Sequence, residues 1–362
     1  MFVALRDLRF ARGRFALMGS VVMLITLLVT MLSGLTAGLA GDNVSAVTGL
    51  PAGRIVFAGG AEPSFADSRI TGAALRGWEA VPGAGAEPLG ITMGRLDRGG
   101  DDPGAAAAMF GVQPGGALAR GAEGTGSAVA DGRIVLSAGL AAETGLRAGE
   151  QVRIAGRAFT VAGTGADASY SHAPVAWISI ADWRAVGAQA RPDTAATVLA
   201  LTGGAGDGAV AAADARLGTA TVDRGDAPAA VPSYSSENGS LQLMRGFLFA
   251  ISALVIGAFF TVWTIQRRAD VAVLKALGAG TGYLLRDALA QAVIVLLAGA
   301  GLGGALGAAA GLLAGDAVPF VLSAGTTAVP VLIMIALGAA GAALAVRKIT
   351  SVDPLTALGA SR

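Results

Sequence analysis

Four long stretches of the chain carry no charged side chain: Phe15 to Gly41, Gly246 to Gln266, Ala288 to Gly315 and Ala317 to Val346. Each meets the roughly 20-residue length that a helix needs to cross a hydrocarbon core. The pattern predicts four membrane-spanning helices. Between the first and second, residues 42–240 have ordinary soluble character and enough length for a core of their own. The expected order is an interfacial helix and first span at 1–41 and an extracytoplasmic domain at 42–240. A second span at 241–267, a short amphipathic helix at 268–280, spans at 281–315 and 316–346, and a tail at 347–362 complete it. The expected fold class is an α-helical membrane protein with four transmembrane helices plus a mixed α+β extracytoplasmic domain.

Within the domain, short apolar runs bounded by Gly and Pro predict strands at Arg54–Phe57, Gly90–Met93 and Arg133–Leu136. Leu75–Glu79 is compatible with strand or helix. Ala138–Thr144 reads as a short helix and Gly145–Glu150 as a turn. Val152 and Ile154 alternate, then Phe159 and Val161, on either side of Gly156, which predicts a hairpin. Val175–Ile180 is apolar on both faces, the mark of a strand covered on both sides. Asp182 reads as the N-cap of a helix over Trp183–Ala190. A strand at Ala196–Thr202, a helix at Ala209–Leu217 and a strand at Thr219–Val222 follow. Asp97–Gly104 and Gly121–Gly126 read as loops, and the spacing of Asp101 and Asp102 matches no calcium loop.

The apolar helices carry their own patterns. The first is rich in hydroxyls, Ser20, Thr26, Thr30, Ser33 and Thr36, with Gly34 and Gly38 four apart. The third repeats glycine every fourth residue at Gly299, Gly303, Gly307 and Gly311. Small residues at this spacing let helix backbones approach closely in a membrane. Asp316 is the expected turn before the fourth span, in which Pro319 and Pro330 are placed. Between spans two and three, Val271, Leu274 and Leu277 recur at helical spacing, with Arg268, Asp270 and Lys275 on other faces and Gly278 as a stop. Such a helix either floats on the membrane surface or serves as a handle for a partner.

Charge sets the orientation. Arg6, Arg9, Arg12 and Arg14 precede the first span, and Arg267, Arg268, Lys275 and Arg286 lie between the second and third. Arg347, Lys348 and Arg362 follow the fourth, whereas the turn before it holds only Asp316. Positive residues stay in the cytoplasm, so both termini are expected there and the large domain outside, in a multi-pass protein of the cytoplasmic membrane. Charged residues make up 14% of the chain, against about 25% for soluble proteins. A net charge of +1 gives no case for nucleic acid. The absence of cysteine excludes disulfides, thiolate zinc and iron–sulfur clusters. Neither Lys275 nor Lys348 sits in a phosphate-binding Gly-rich loop, and no nucleophile elbow or zinc-protease motif is present. No catalytic residue is expected, and no enzyme activity of the chain itself.

Three motifs carry a resemblance to the FtsX-like/MacB-like family of ABC transporter permeases. Asp270-Val-Ala-Val-Leu-Lys-Ala-Leu-Gly278 is similar to the family's cytoplasmic loop. Val352-Asp353-Pro354-Leu355-Thr356-Ala357-Leu358 is similar to its tail, and Ile134 to Gly163 to its outer-domain strand and hairpin. Asp270 and Glu150 stand where the family often has Glu and Asp, and both keep the charge. The resemblance implies a separate ABC ATPase in two copies, which holds the ATP and Mg, and a second copy of the permease in the bilayer. It implies no cofactor on this chain. It also implies an ATPase-coupling role for Asp270, Val271, Leu274, Lys275, Leu277 and Gly278.

Within that family, Tyr234–Phe247 and Phe259–Leu277 look closest to haem-exporting permeases, and a glycolipid-exporting group is similar here too. Haem as cargo needs apolar walls, a cation for propionate and Met, His or Tyr for iron. The candidate substrate residues are Met31, Tyr170, His172, Tyr234, Glu237, Met244 and Arg245, with Met31, Tyr170 and His172 as iron ligands. No metal is built into the chain. Tyr170 and His172 share one face if their segment is extended. The alternatives are an FtsX-like transmitter, which uses ATPase-driven motion to regulate an extracytoplasmic partner without transport, and an exporter of lipid, glycolipid or drug.

Overall fold

The computed structural model describes residues 12–60, 62–99, 103–124, 127–187, 193–232, 234–266, 273, 277–314 and 318–350. Helix α1 (Arg12–Thr48) opens the chain, followed by β1 (Arg54–Ala58), β2 (Ile70–Thr71) and α2 (Gly72–Glu79). Strands β3 (Ala86–Asp97) and β4 (Ala105–Val112), helix α3 (Ala117–Ala122), β5 (Arg133–Leu136) and α4 (Ala138–Thr144) come next. Then follow β6 (Gln151–Ile154), β7 (Arg157–Thr164), β8 (Ser169–Tyr170), β9 (Ala173–Ser179) and α5 (Ile180–Gly187). Strands β10 (Thr194–Ala196) and β11 (Val198–Leu201), helix α6 (Asp207–Leu217) and β12 (Thr219–Asp223) complete the domain. Three long helices end the chain: α7 (Tyr234–Gln266), α8 (Thr281–Ala314) and α9 (Ala324–Thr350). Two compact units result, Leu39–Asn238 and the helical remainder.

In the helical unit, α1, α7, α8 and α9 all contain apolar stretches long enough to cross a membrane. Their shared core joins Val22 and Val29 of α1, Phe260 and Trp263 of α7, Leu296 and Ala300 of α8, and Met334 and Ala342 of α9. The glycine repeat is used as a ridge. A β-carbon on Gly299 would meet Gly19 and Val22, one on Gly303 the Met23 carbonyl and Thr26, and one on Gly307 Thr30. So α1 lies backbone against backbone on α8, an approach only glycine permits. Thr26, Thr30 and Ser33 are buried on this face, yet their hydroxyls make no hydrogen bond to any described residue. Packing rather than polar bonding holds the contact.

Pro319 is not part of a helix, contrary to the sequence expectation. It lies with Phe320 in an extended segment before α9. Val321 N donates to Gly34 O at 3.1 Å, and the Phe320 ring covers both Gly34 and Gly311. The missing side chains of Gly34 and Gly38 make room for that segment, which takes the place of a first helical turn. Pro330 does lie inside α9.

In the other unit β2 and β10 pair in a separate two-stranded sheet, and the other ten strands form one mixed sheet in the order β12-β1-β11-β3-β4-β9-β5-β7-β6, with β8 paired to β9 and β6 returning to pair with β3. Leu96 faces Ile154 in that closing pair. The six strands from β3 to β6 therefore close into a small barrel, which hides their edges from further pairing. Ile134, Leu136, Phe159, Val161 and Ile178 fill one core, with α4 contributing Leu140. A second core joins Val44 and Val47 at the end of α1 to Phe57, Phe65, Phe110 and Tyr170.

Strand β4 breaks the propensity rule. Its sequence, Ala-Ala-Ala-Ala-Met-Phe-Gly-Val, starts as a helix former. It nevertheless runs between β3 and β9, with Ala107 and Ala108 fully buried. Tertiary packing overrides the local preference. Ser179, not Asp182, caps α5: its Oγ accepts from Asp182 N at 3.0 Å. Asp182 instead accepts from Gly132 N at 2.7 Å. The Trp183 ring of α5 sits on Gly90 and Gly111, which face each other across β3 and β4. Any β-carbon at either glycine would enter the indole.

Two outcomes are expected. Gly303→Val should lower the melting temperature in detergent, since overpacking costs about 1–3 kcal/mol. Gly301→Ala, with open space around it, should be neutral or stabilise by up to ~1 kcal/mol. Equal effects would argue against the ridge. Burial pushes the Tyr170 hydroxyl well above the usual phenol range. The unfolded chain therefore ionises first, so Tyr170 contributes its full stability below about pH 10 and loses it as pH rises further. Above that pH the wild type should lose up to about 1.4 kcal/mol per unit more than Tyr170→Phe, read by denaturant titration across the alkaline range. Parallel curves would contradict this.

Candidate functional site

The residues predicted to bind cargo are not all brought together. Met31, Met244 and Arg245 belong to the helical unit, where Met244 is exposed and Arg245 donates to Gln242 Oε1 at 2.6 Å. Tyr170, His172, Tyr234 and Glu237 belong to the other unit. Tyr234 is half-buried against its second core.

Tyr170 and His172 do not share a face, which corrects the expectation of an extended segment. Tyr170 ends β8 and Ala173 begins β9, so Ser171 and His172 are the two central residues of a tight hairpin turn. Their φ values are 50° and 61°. That is the primed turn, whose least strained residues are Asn and Gly. Tyr170 points into the core, with the rings of Phe65 and Phe110 at 5.9 and 5.7 Å edge-on. A buried, neutral phenol there cannot reach a metal at the surface, so Tyr170 leaves the set of iron ligands.

His172 is turned the other way. Ser171 N donates to Asn43 O at 2.9 Å and His172 N to Asp42 O at 3.1 Å. Ser169 N donates to Ser45 Oγ at 2.9 Å. The C-terminal end of α1 thus clamps the hairpin tip and holds a strained turn, at an expected cost of about 1–3 kcal/mol per residue. The clamp brings His172 to Glu237, in the first turn of α7. Asn43 Nδ2 donates to Glu237 Oε2 at 2.9 Å. His172 Nε2 lies 3.0 Å from the same oxygen and 3.2 Å from Asn43 Nδ2.

Hydrogen-bond logic assigns the protons. An amide nitrogen offers only donors and an ionised carboxylate only acceptors. With Glu237 ionised, Nε2 carries a proton and gives it to Glu237, while Asn43 gives a second. His172 and Glu237 are 42% and 43% exposed, so such a pair contributes only about 0–1 kcal/mol to stability. Asn43, by contrast, is buried, and its Oδ1 has no hydrogen-bond partner among the described residues. The cluster gathers an imidazole, a carboxylate and an amide at a rim open to solvent. It is better suited to exchange partners than to hold the fold.

Asn43 is the residue the sequence reading misses. It is one polar position near the C-terminal end of a mostly apolar helix, and only the return of residues 171–172 and 237 gives it a role. Of the predicted coupling residues, Asp270, Val271, Leu274 and Lys275 lie outside the described residues, as do the motif at 352–358, Asp101, Asp102, Asp316 and residues 1–11. Leu277 and Gly278 are described. Leu277 is exposed and its N donates to Val273 O at 3.0 Å, and Gly278 has φ 93°.

Comparison with known proteins follows the two units. Residues 243–354 match the model of the FtsX-like permease C-terminal region, and residues 18–220 that of the MacB-like periplasmic core domain. A protein of Staphylococcus haemolyticus strain JCSC1435, named as the hemin transport system permease HrtB, is 24% identical over 361 residues, 99% of each chain. Its namesake in Staphylococcus epidermidis strain ATCC 12228 is 28% identical over 141 residues, 39% of this chain and 40% of that one. The periplasmic region of MacB from Actinobacillus actinomycetemcomitans overlays with a TM-score of 0.38 at 10% identity, covering 49% of this chain and 91% of that one. A score so low adds nothing to the assignment. The two family matches together cover most of the chain, and the MacB-like one alone spans more than half of its 362 residues. The chain belongs to the FtsX-like, MacB-like family of ABC transporter permeases.

Proposed function

We propose that this permease works with a separate ABC ATPase to export haem or a similar flat amphiphile from the cytoplasmic membrane. Two permease copies and two ATPase subunits form the working unit, with ATP and Mg held only by the ATPase. Both termini are cytoplasmic and the α+β unit lies outside. The segment around Val271–Leu277 is the coupling helix. An exposed Leu277 at its end supports that role, since an apolar side chain offered to solvent suits a partner groove.

The cluster of His172, Glu237 and Asn43 carries the cargo reading, together with the name given to the relatives. Haem iron takes an imidazole through an unprotonated ring nitrogen. At His172, Nε2 holds a proton while it donates to Glu237, so binding through Nε2 first requires that proton to move. Capture of haem through Nε2 would shift that proton to Nδ1 and release the Glu237 carboxylate. Asn43 remains to hold the carboxylate by its amide, so the charge is not stranded. Such an exchange costs little because the pair is half exposed and weak. A closed rest state that opens at small cost is what a transporter needs if it must also release its cargo.

The test is absorbance titration of haem into the purified permease–ATPase complex. The wild type should shift the Soret band. His172→Ala should weaken binding at least tenfold, about 1.4 kcal/mol. Met31→Ala, chosen for its thioether alone, completes the series. A complex with no Soret shift and no haem-stimulated ATP hydrolysis would sink the haem reading and leave the permease assignment intact.

A further inference from the structure

A second polar site lies in the α+β unit and shares no residue with the histidine cluster. A cleft of about 220 Å³ is lined by Arg69, Ile91, Thr92, Trp183, Arg184 and Thr194, among others. A wider depression of about 710 Å³ shares Arg184 and Thr194 with it and adds Arg76 and Asp193. Three guanidiniums thus face one carboxylate. None of the three forms an ion pair with any described residue, unlike Arg54 and Arg157 of the same unit.

The arginines are set in place by the backbone rather than by counter-ions. Arg184 donates its Nε to Ala195 O at 2.7 Å, which leaves the outer edge of its guanidinium uncommitted. One nitrogen of Arg69 donates to Ser68 O at 2.6 Å. Both side chains are half-buried, and an arginine held this way loses little freedom when it binds. The wall between them is apolar and rigid. Trp183 is buried on its Gly90–Gly111 seat, beside Ile91. Its Nε1 donates to Thr92 Oγ1 at 2.9 Å, so the Thr92 hydroxyl keeps its own proton to give. Thr194 makes no side-chain hydrogen bond to any described residue and offers a second hydroxyl at the same opening.

Forked donors, a spare hydroxyl and an indole wall select one chemistry. Guanidinium forks match the oxygens of phosphate or carboxylate in pairs. The wall suits a short apolar stem beside the charged head, and the smaller cleft holds a head and only a few carbons. We propose that this cleft binds the oxyanion head of a small anionic amphiphile, gripped by Arg69 and Arg184, with its stem against Trp183. Arg76 widens the positive field at the mouth.

Calorimetric titration of the full chain in nanodiscs with hexyl phosphate tests this. Saturable binding is expected, weakened at least tenfold in both Arg184→Gln and Arg69→Gln and by added salt. Arg216→Gln, an exposed arginine of α6 outside the cleft, should bind as the wild type does, and melting curves will show whether each variant is folded. Phosphatidic acid in the nanodisc separates two sources of the same chemistry. Competition supports a lipid headgroup, and none supports a soluble ligand. The proposal is overturned by absent binding, by equal binding in the folded Arg184→Gln and Arg69→Gln variants, or by equal binding of hexyltrimethylammonium. Inorganic phosphate binding as tightly as hexyl phosphate would overturn the apolar part of the site.

Discussion

The helical unit depends on the approach of α1 to α8. Within a bilayer, lipid tails are as apolar as leucine, so burial gives two helices no reason to associate. What remains is van der Waals contact, which falls off steeply when atoms are held even a fraction of an ångström apart. The glycines at 299, 303 and 307 remove the side chains that would hold α1 away. The hydroxyl face of α1 is narrow enough to fill the space. Because Thr26, Thr30 and Ser33 make no hydrogen bond there, no directional bond must break if the two helices slide. A smooth, close contact of this kind is compatible with a membrane protein that works by motion.

The same device recurs outside the helices. Gly90 and Gly111 meet across two strands and open a slot that only an indole fills. The slot fixes α5, and α5 carries Arg184. At the other end of the sheet, a strained hairpin turn is clamped by carbonyls of α1 and delivers His172 to Glu237. In both places backbone geometry positions a candidate site side chain. Neither relies on a buried ion pair, which suits a chain without cysteine to staple this unit.

Legibility in the sequence followed physical range. The charge-free runs, the Val152–Val161 hairpin and the helix at 138–144 are set by near neighbours, so periodicity exposed them. Strand β4 was hidden because alanine favours helix, and only neighbours on both sides make a small residue useful in a strand. Pro319 was placed in a span because apolar composition continues through it. Composition cannot reveal that Gly34 and Gly38 receive an extended segment. Asp182 looked like a cap because Asp is a common one, yet the neighbouring Ser179 took the position. Candidate site residues were half legible. His172 and Glu237 stand out as rare polar residues near membrane segments, but Asn43 and the turn that swings His172 away from Tyr170 depend on distant contacts.

The most direct check on the account is an intramolecular disulfide across the ridge. The chain has no cysteine of its own. A β-carbon on Gly307 would lie 3.0 Å from that of Thr30, and a small relaxation reaches the roughly 3.5–4.5 Å a disulfide needs. In the Thr30→Cys, Gly307→Cys chain, cut at a protease site placed in the exposed loop at Gly204, oxidation should keep the two fragments joined. The Thr30→Cys, Gly301→Cys chain should fall apart. Fragments that separate in both chains, or stay joined equally in both, would contradict a glycine ridge that seats α1 on α8.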